Sequence, residues 1–157
     1  MIRVLFICHG NICRSPMAEF IFKKIVREHH QEADFEIASA ATSTEEIWNG
    51  RGNPIYPPAR AELKAQGVWC EEAESKRARQ VTKADYDKYD YLICMDSSNI
   101  RNTLRIVGED ADGKVVKLLS FCGENADVSD PWYSDRFDIA YKDILRGCEA
   151  FYEKVCP

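Results

Sequence analysis

Apolar residues fall into two kinds of pattern along this chain: short unbroken runs, and longer stretches in which they return at helical intervals. Val4, Leu5, Phe6 and Ile7 form an uninterrupted run, which predicts a central parallel strand covered on both faces. From Pro16 to about His30, Met17, Phe20, Ile21 and Ile25 recur at helical spacing, with Phe22 and Val26 widening the stripe, so a helix crosses back over the sheet. Residues 35–41 start with a Phe-x-Ile alternation and continue with small residues, predicting a second strand that ends in a loop at Ser39. A polar and glycine-containing loop, Thr42 to Asn53, carries Trp48. Pro57 and Pro58 open a helix through Leu63 that stops at Gly67. Glu71, Glu72 and Glu74 form an acidic turn, and Lys76 to Gln80 is a basic stretch that suits either a strand or a solvated edge.

Thr82 begins another helical turn, and the run from Tyr89 to Met95 is strand-like. Asp96 to Asn99 caps a helix carrying Ile100, Leu104 and Val107, which Gly108 ends. Val115 to Leu119 makes the last strand. A long irregular segment from Ser120 to Ser134 then leads to a final helix with Phe137, Tyr141, Ile144, Cys148, Phe151 and Val155 on one stripe. Strands alternating with helices give a doubly wound parallel α/β sheet, in which the loops after the strand C-termini build one crevice. Cys8, Ser39, Asp96 and the 120–134 loop all fall on that edge.

Composition narrows the function. A chain of 157 residues is one domain, residues 1–157, and its net charge of −5 offers no basic footprint for nucleic acid. The chain starts directly on strand residues, and no apolar run approaches bilayer length, so neither a leader nor a membrane span is expected. Seven scattered cysteines do not form a disulfide framework, and a reducing, cytoplasmic setting follows. Cys94 and Cys148 lie on apolar positions and are expected as packing.

The chemistry concentrates between Val4 and Phe20. Cys8 follows the strand, Gly10 and Asn11 tolerate positive φ, Ser15 is a natural helix cap, and Pro16 suits a first helical turn. A strand that enters a tight loop and leaves as a helix aims backbone N–H groups and the positive helix end at one point, which holds a phosphate-like anion. Arg14 adds a permanently charged fork for two anion oxygens. The same field favours the thiolate of a nearby cysteine, making Cys8 a nucleophile, and Ser15 can donate its hydroxyl proton to that sulfur.

The segment CHGNICRSP resembles the signature of the low-molecular-weight protein tyrosine phosphatase family, and further matching segments run almost to the C-terminus. The resemblance implies a flavodoxin-like, four-stranded parallel sheet with helices on both faces. It implies a phosphomonoesterase without metal or cofactor that acts on phosphotyrosine proteins or small aryl phosphates, releases inorganic phosphate through a phosphocysteine, and works as a monomer. His9, Gly10, Asn11, Ile12, Cys13, Arg14 and Ser15 would hold the phosphate. Asp130, in Asp-Pro-Trp-Tyr, falls where the family carries its general acid; as an isolated Asp-Pro it reads as a turn or cap residue. Asn11 and Ser39 resemble the family's loop-stiffening pair, while Asp96 is a helix cap with a secondary contact to Arg14 or the acid loop. Ile12 stands where the related arginine phosphatases carry threonine, which favours the tyrosine-directed branch. Lys76 stands where many relatives carry histidine.

Trp48, Trp132 and Tyr133, with Ile12, are expected to wall a slot deep enough to select aryl phosphates over phosphoserine. Cys13 is expected either as packing or as a redox partner that traps oxidised Cys8 as a disulfide. Three other readings compete. A thiol-linked arsenate reductase would need two further relay cysteines, and Cys148 and Cys156 sit on a packed terminal helix. A zinc site at Cys8, His9 and Cys13 lacks a second ligand pair. A silent phosphotyrosine-binding module would have lost its nucleophile or acid, whereas Cys8 and Asp130 are both present.

Overall fold

The computed structural model describes residues 1–156; Pro157, the last residue of the expected domain, lies outside the described residues. Four strands, β1 (Ile2–Cys8), β2 (Phe35–Ala41), β5 (Tyr91–Cys94) and β6 (Val115–Lys117), form a parallel sheet in the order β2-β1-β5-β6. Between them run α1 (Arg14–Glu28), a hairpin of β3 (Ile47–Trp48) and β4 (Arg51–Gly52), α2 (Pro57–Ala65), α3 (Glu71–Ser75), α4 (Lys83–Lys88) and α5 (Ser97–Val107). A short α6 (Pro131–Ser134) and the long α7 (Phe137–Val155) complete the chain.

β1 is central, and residues 4–7 are wholly inaccessible, as its unbroken apolar run requires. Its alternation sorts the two faces. Val4, Phe6 and Cys8 join the core made with α1, α2 and α7, whereas Leu5 and Ile7 pack with Val81, Tyr89 and Val107 on the other side. Phe22 anchors the larger core: its ring meets Phe6 at 5.9 Å and Phe35 at 5.5 Å edge to face, and Phe151 at 5.1 Å. Such pairs add about 0.5–1.5 kcal/mol each beyond their burial, which ties α1, β2 and α7 to the central strand.

Several local expectations shift. α1 starts at Arg14 with Cys13 as its cap residue, because the Cys13 carbonyl already accepts from Met17 N; Ser15 sits inside the first turn, where its hydroxyl serves the loop instead. β2 continues past Ser39 to Ala41, since Ser39 pairs with Phe6 and Ala41 with Cys8. Residues 76–80 form no named strand, although Gln80 bridges to Ala41 at the end of β2. The Thr42–Asn53 loop contains the β3–β4 hairpin, turned by Asn49 and Gly50, both at positive φ. Asn-Gly at such a turn is the strongest short-range hairpin signal, and it was there to be read. β6 stops at Lys117, and residues 118–122 tighten into a 3-10 turn at the base of the long irregular segment.

That turn is fixed by a close approach. A Cβ on Gly147 of α7 would lie 2.5 Å from Cγ of Leu118, which is completely buried and has nowhere to move. Gly147→Ala is therefore expected to destabilise the protein by about 1–3 kcal/mol, although alanine is the better helix former. Thermal unfolding checks this, and an unchanged or raised midpoint would show that Leu118 can give way.

Candidate active site

Cys8 ends β1 and is 3% exposed. The loop after it keeps its carbonyls occupied: those of Cys8, His9, Ile12 and Cys13 accept from the backbone N–H groups of Thr42, Ser43, Tyr56 and Met17 at 2.9–3.0 Å. Asn11 N donates to Cys8 Sγ at 3.3 Å, so at least this loop amide faces the sulfur. Asn11 stands at φ 59, a left-handed conformation that costs a non-glycine residue of order 1–3 kcal/mol unless its surroundings hold it.

Its side chain supplies the hold. Asn11 Nδ2 donates to Ser15 Oγ at 2.8 Å and to Ser39 Oγ at 2.9 Å, while Oδ1 accepts from Arg79 N at 3.2 Å. The directions of these bonds are fixed in turn. Ser39 Oγ donates to Glu19 Oε1 at 2.6 Å, so it accepts from Asn11. Ser15 Oγ, having accepted from Asn11, has its proton free for Cys8 Sγ at 3.0 Å, with Ala40 O more distant at 3.5 Å. A buried carboxylate is thereby linked through two hydroxyls and an amide to the sulfur.

Glu19 is neutralised by Lys23 at 2.6 Å and Lys76 at 3.6 Å, and Lys76 Nζ also donates to Ser39 O at 2.9 Å. Burial pushes the Lys76 ammonium below the usual lysine range, while Glu19 works against that loss. Lys76 thus ties Glu19 to the backbone of Ser39. Glu19 escaped the sequence reading, although an acid inside the apolar face of α1, four residues after Ser15, was a usable signal.

Arg14 is 3% exposed. Its Nη1 donates to Asp96 Oδ2 and to Val128 O, both at 2.8 Å, and its Nη2 lies 3.6 Å from Asp130 Oδ2. Burial opposes the guanidinium charge, but Cys8, Asp96 and Asp130 more than offset it, and the proton is held more tightly than usual. Asp96 has both expected roles: Oδ1 caps α5 by accepting from Asn99 N at 2.7 Å while Oδ2 anchors Arg14. Asp130 caps α6, accepting from Trp132 N at 3.0 Å.

These groups surround a cavity of about 340 Å³. Cys8, Cys13 and Arg14 line it together with His9, Gly10 and Ile12 of the loop, and Asp130, Trp132 and Tyr133 close another side. Trp48 is absent from that lining. It is 63% exposed on the hairpin, bonds Glu45 O through Nε1 and borders a separate depression with Asn49, Arg51 and Asn53. The Asn49-Gly50 turn folds Trp48 against Arg51, and Glu45 and Glu46 line the cavity from this loop instead. Cys13 is buried among apolar neighbours, and burial, followed by the nearby Cys8, pushes its thiol far up, so it is protonated at neutral pH. Cys94 and Cys148 are fully buried, as expected of packing residues. All seven cysteines are free, and among the described residues no group of three or more His, Cys, Asp or Glu side chains is arranged to hold a metal.

The charge network makes a stability prediction. Glu19→Ala removes the one carboxylate paired with the buried Lys76 ammonium and the acceptor of the Ser39 hydroxyl, while Lys23 keeps Glu72, and is expected to cost roughly 3 kcal/mol in urea unfolding. Adding Lys76→Met should restore part of that loss; no recovery would mean that the Glu19–Lys76 pair is not coupled.

The family model described as low molecular weight phosphotyrosine protein phosphatase matches residues 3–156. The low molecular weight phosphotyrosine protein phosphatase of Gallus gallus is 40% identical over 156 residues, covering 96% of this chain and 94% of that protein. The low molecular weight protein-tyrosine-phosphatase YfkJ of Bacillus subtilis is 36% identical, covering 95% and 92%. The crystal structure of YfkJ superposes with a TM-score of 0.90 at 34% identity, over 99% of this chain and 94% of that one. With a near-complete match to the family model, relatives at this identity and the same doubly wound sheet, the chain belongs to the low molecular weight phosphotyrosine protein phosphatase family, whose members are protein-tyrosine phosphatases.

Proposed function

We propose that this protein hydrolyses phosphotyrosine and related aryl phosphates by a two-step mechanism centred on Cys8. The observation that carries the reading is the cradle itself: a cysteine sulfur with an amide donor at 3.3 Å and a hydroxyl at 3.0 Å, beside a buried arginine anchored at 2.8 Å. The phosphate oxygens take the loop amides, the start of α1 and Arg14. Asp130 Oδ2, 3.6 Å from the same guanidinium, stands beside the phosphate held there.

The Cys8 thiolate attacks phosphorus in line, forming an S–P bond as the P–O bond to the aryl group breaks, and Asp130 passes its proton to the departing phenolate oxygen. Water then attacks phosphorus and gives a proton to Asp130. The S–P bond breaks with release of inorganic phosphate, and the Ser15 hydroxyl, whose proton faces the sulfur, stabilises the departing thiolate. Ile12, Trp132 and Tyr133 flank the ring of the substrate. A fully free set of cysteines suits work in the reducing cytoplasm, and among the described residues no helix is long and apolar enough to cross a membrane.

Cys8→Ser is expected to abolish hydrolysis of phenyl phosphate, with chelators leaving the wild type unaffected; retained activity in the variant would overturn the mechanism. Asp130→Ala should lower kcat by about 10² to 10⁴, and much less for a substrate whose leaving group needs no proton. Equal losses on both substrates would make Asp130 structural. Under the redox reading, peroxide inactivates the enzyme reversibly with a Cys8–Cys13 disulfide visible by mass spectrometry, and Cys13→Ser recovers poorly with thiol. Equal recovery leaves Cys13 as packing.

A further inference from the structure

The cavity meant for a dianion carries more negative than positive side chains. Arg14 is already engaged with Asp96, Val128 O and Asp130, and two further carboxylates, Glu45 and Glu46, stand on the lining. Neither is loosely placed. A Cβ on Gly10 would lie 3.2 Å from Glu46 Cγ, so the stem of Glu46 rests against the loop where Gly10 has no side chain. Asn53 Nδ2 holds the Glu46 carboxylate by donating to Oε1 at 3.1 Å, and Asn53 N donates to Glu46 O at 2.8 Å. Glu45 Oε2 is 2.9 Å from His9 Nε2, and its backbone is tied by Trp48 Nε1. The partner of Glu46 is a neutral amide, and Arg51 on the same hairpin borders the separate depression beside Trp48 rather than this cavity.

Resting on the phosphatase reading above, we infer that Glu45 and Glu46 make this enzyme select phosphotyrosine substrates that carry a lysine or arginine next to the phosphorylated residue. The phosphate itself is held by amides and Arg14 deeper in the site, so the two carboxylates act on whatever flanks the ring. A neighbouring ammonium or guanidinium is attracted and a neighbouring carboxylate repelled. Screening confines the effect to about 8 Å at physiological ionic strength, hence to the residues beside the phosphotyrosine. Partly exposed pairs are worth modest energies, so two of them amount to about a tenfold preference.

The test measures kcat/KM for two otherwise identical phosphotyrosine peptides, one with lysine and one with glutamate on both sides of the phosphotyrosine, with phenyl phosphate alongside. Wild type should favour the basic peptide about tenfold, mainly through KM. The preference should fall to about twofold or less in the Glu45→Gln/Glu46→Gln double variant, and likewise in wild type at roughly 0.5 M salt. Hydrolysis of phenyl phosphate with equal kcat/KM for both peptides overturns this inference and spares the phosphatase reading. A preference that persists in the double variant overturns the assignment to these residues. Failure to hydrolyse phenyl phosphate or either peptide overturns the phosphatase reading and the inference with it.

Discussion

The site depends on one left-handed residue and what holds it. Asn11 at φ 59 turns the loop so that its own amide meets the sulfur of Cys8, and the conformation persists because both ends of its side-chain amide are bound. The partners come from three places in the sequence: Ser15 on α1, Ser39 on β2 and the backbone of Arg79. Each is immobilised by something larger. Ser39 is a strand residue paired with Phe6 and bonded to Glu19; Arg79 forms a two-pronged pair with Asp85, whose carboxyl that pair helps hold below its ordinary range despite burial. In a low-dielectric interior such a chain is worth more satisfied than broken, because each unpaired member would be a buried orphan.

Arg14 does for the other side of the cavity what Asn11 does for the loop. One of its nitrogens bridges Asp96, at the end of β5, and the carbonyl of Val128, whose own N–H donates to Met95 O at 2.9 Å. The irregular 120–134 segment is thus stitched to the sheet edge at Val128, two residues before Asp130. Asp130 remains partly exposed while its backbone is fixed by Pro131 and the cap of α6. This combination of a rigid mount and contact with water suits the proton-transfer role proposed for Asp130. Glu45 and Glu46 meet the loop at His9 and Gly10, and neither shares a hydrogen bond with Asn11 or Arg14.

The fold was legible because its signals are local. The unbroken run of β1, the helical spacing in α1 and α7, and the Gly108 stop after α5 each depend on residues adjacent in sequence, and each element formed within a few positions of its expected bounds. Cys8, Arg14 and Ser15 were legible for the same reason, since a strand, a loop and a helix start in one continuous stretch leave little freedom in where they meet. Asp130 and the Asn11–Ser39 pair needed the family resemblance, because spacing alone does not bring residues so far apart in sequence to one edge.

What the sequence by itself determined was the main strands and helices, the parallel sense of their sheet and the chemistry of one loop, all consequences of short-range periodicity and turn preferences. Tertiary structure alone decided which distant groups face that loop. It seated Glu19 behind Ser39, brought Lys76 to the Ser39 carbonyl, folded Trp48 away on an Asn-Gly hairpin and put Glu45 and Glu46 in its place. The physical reason is that a side chain's role in a site is set by the direction its backbone gives it and by the partners burial forces on it, and both are properties of the packed sheet rather than of neighbours along the chain.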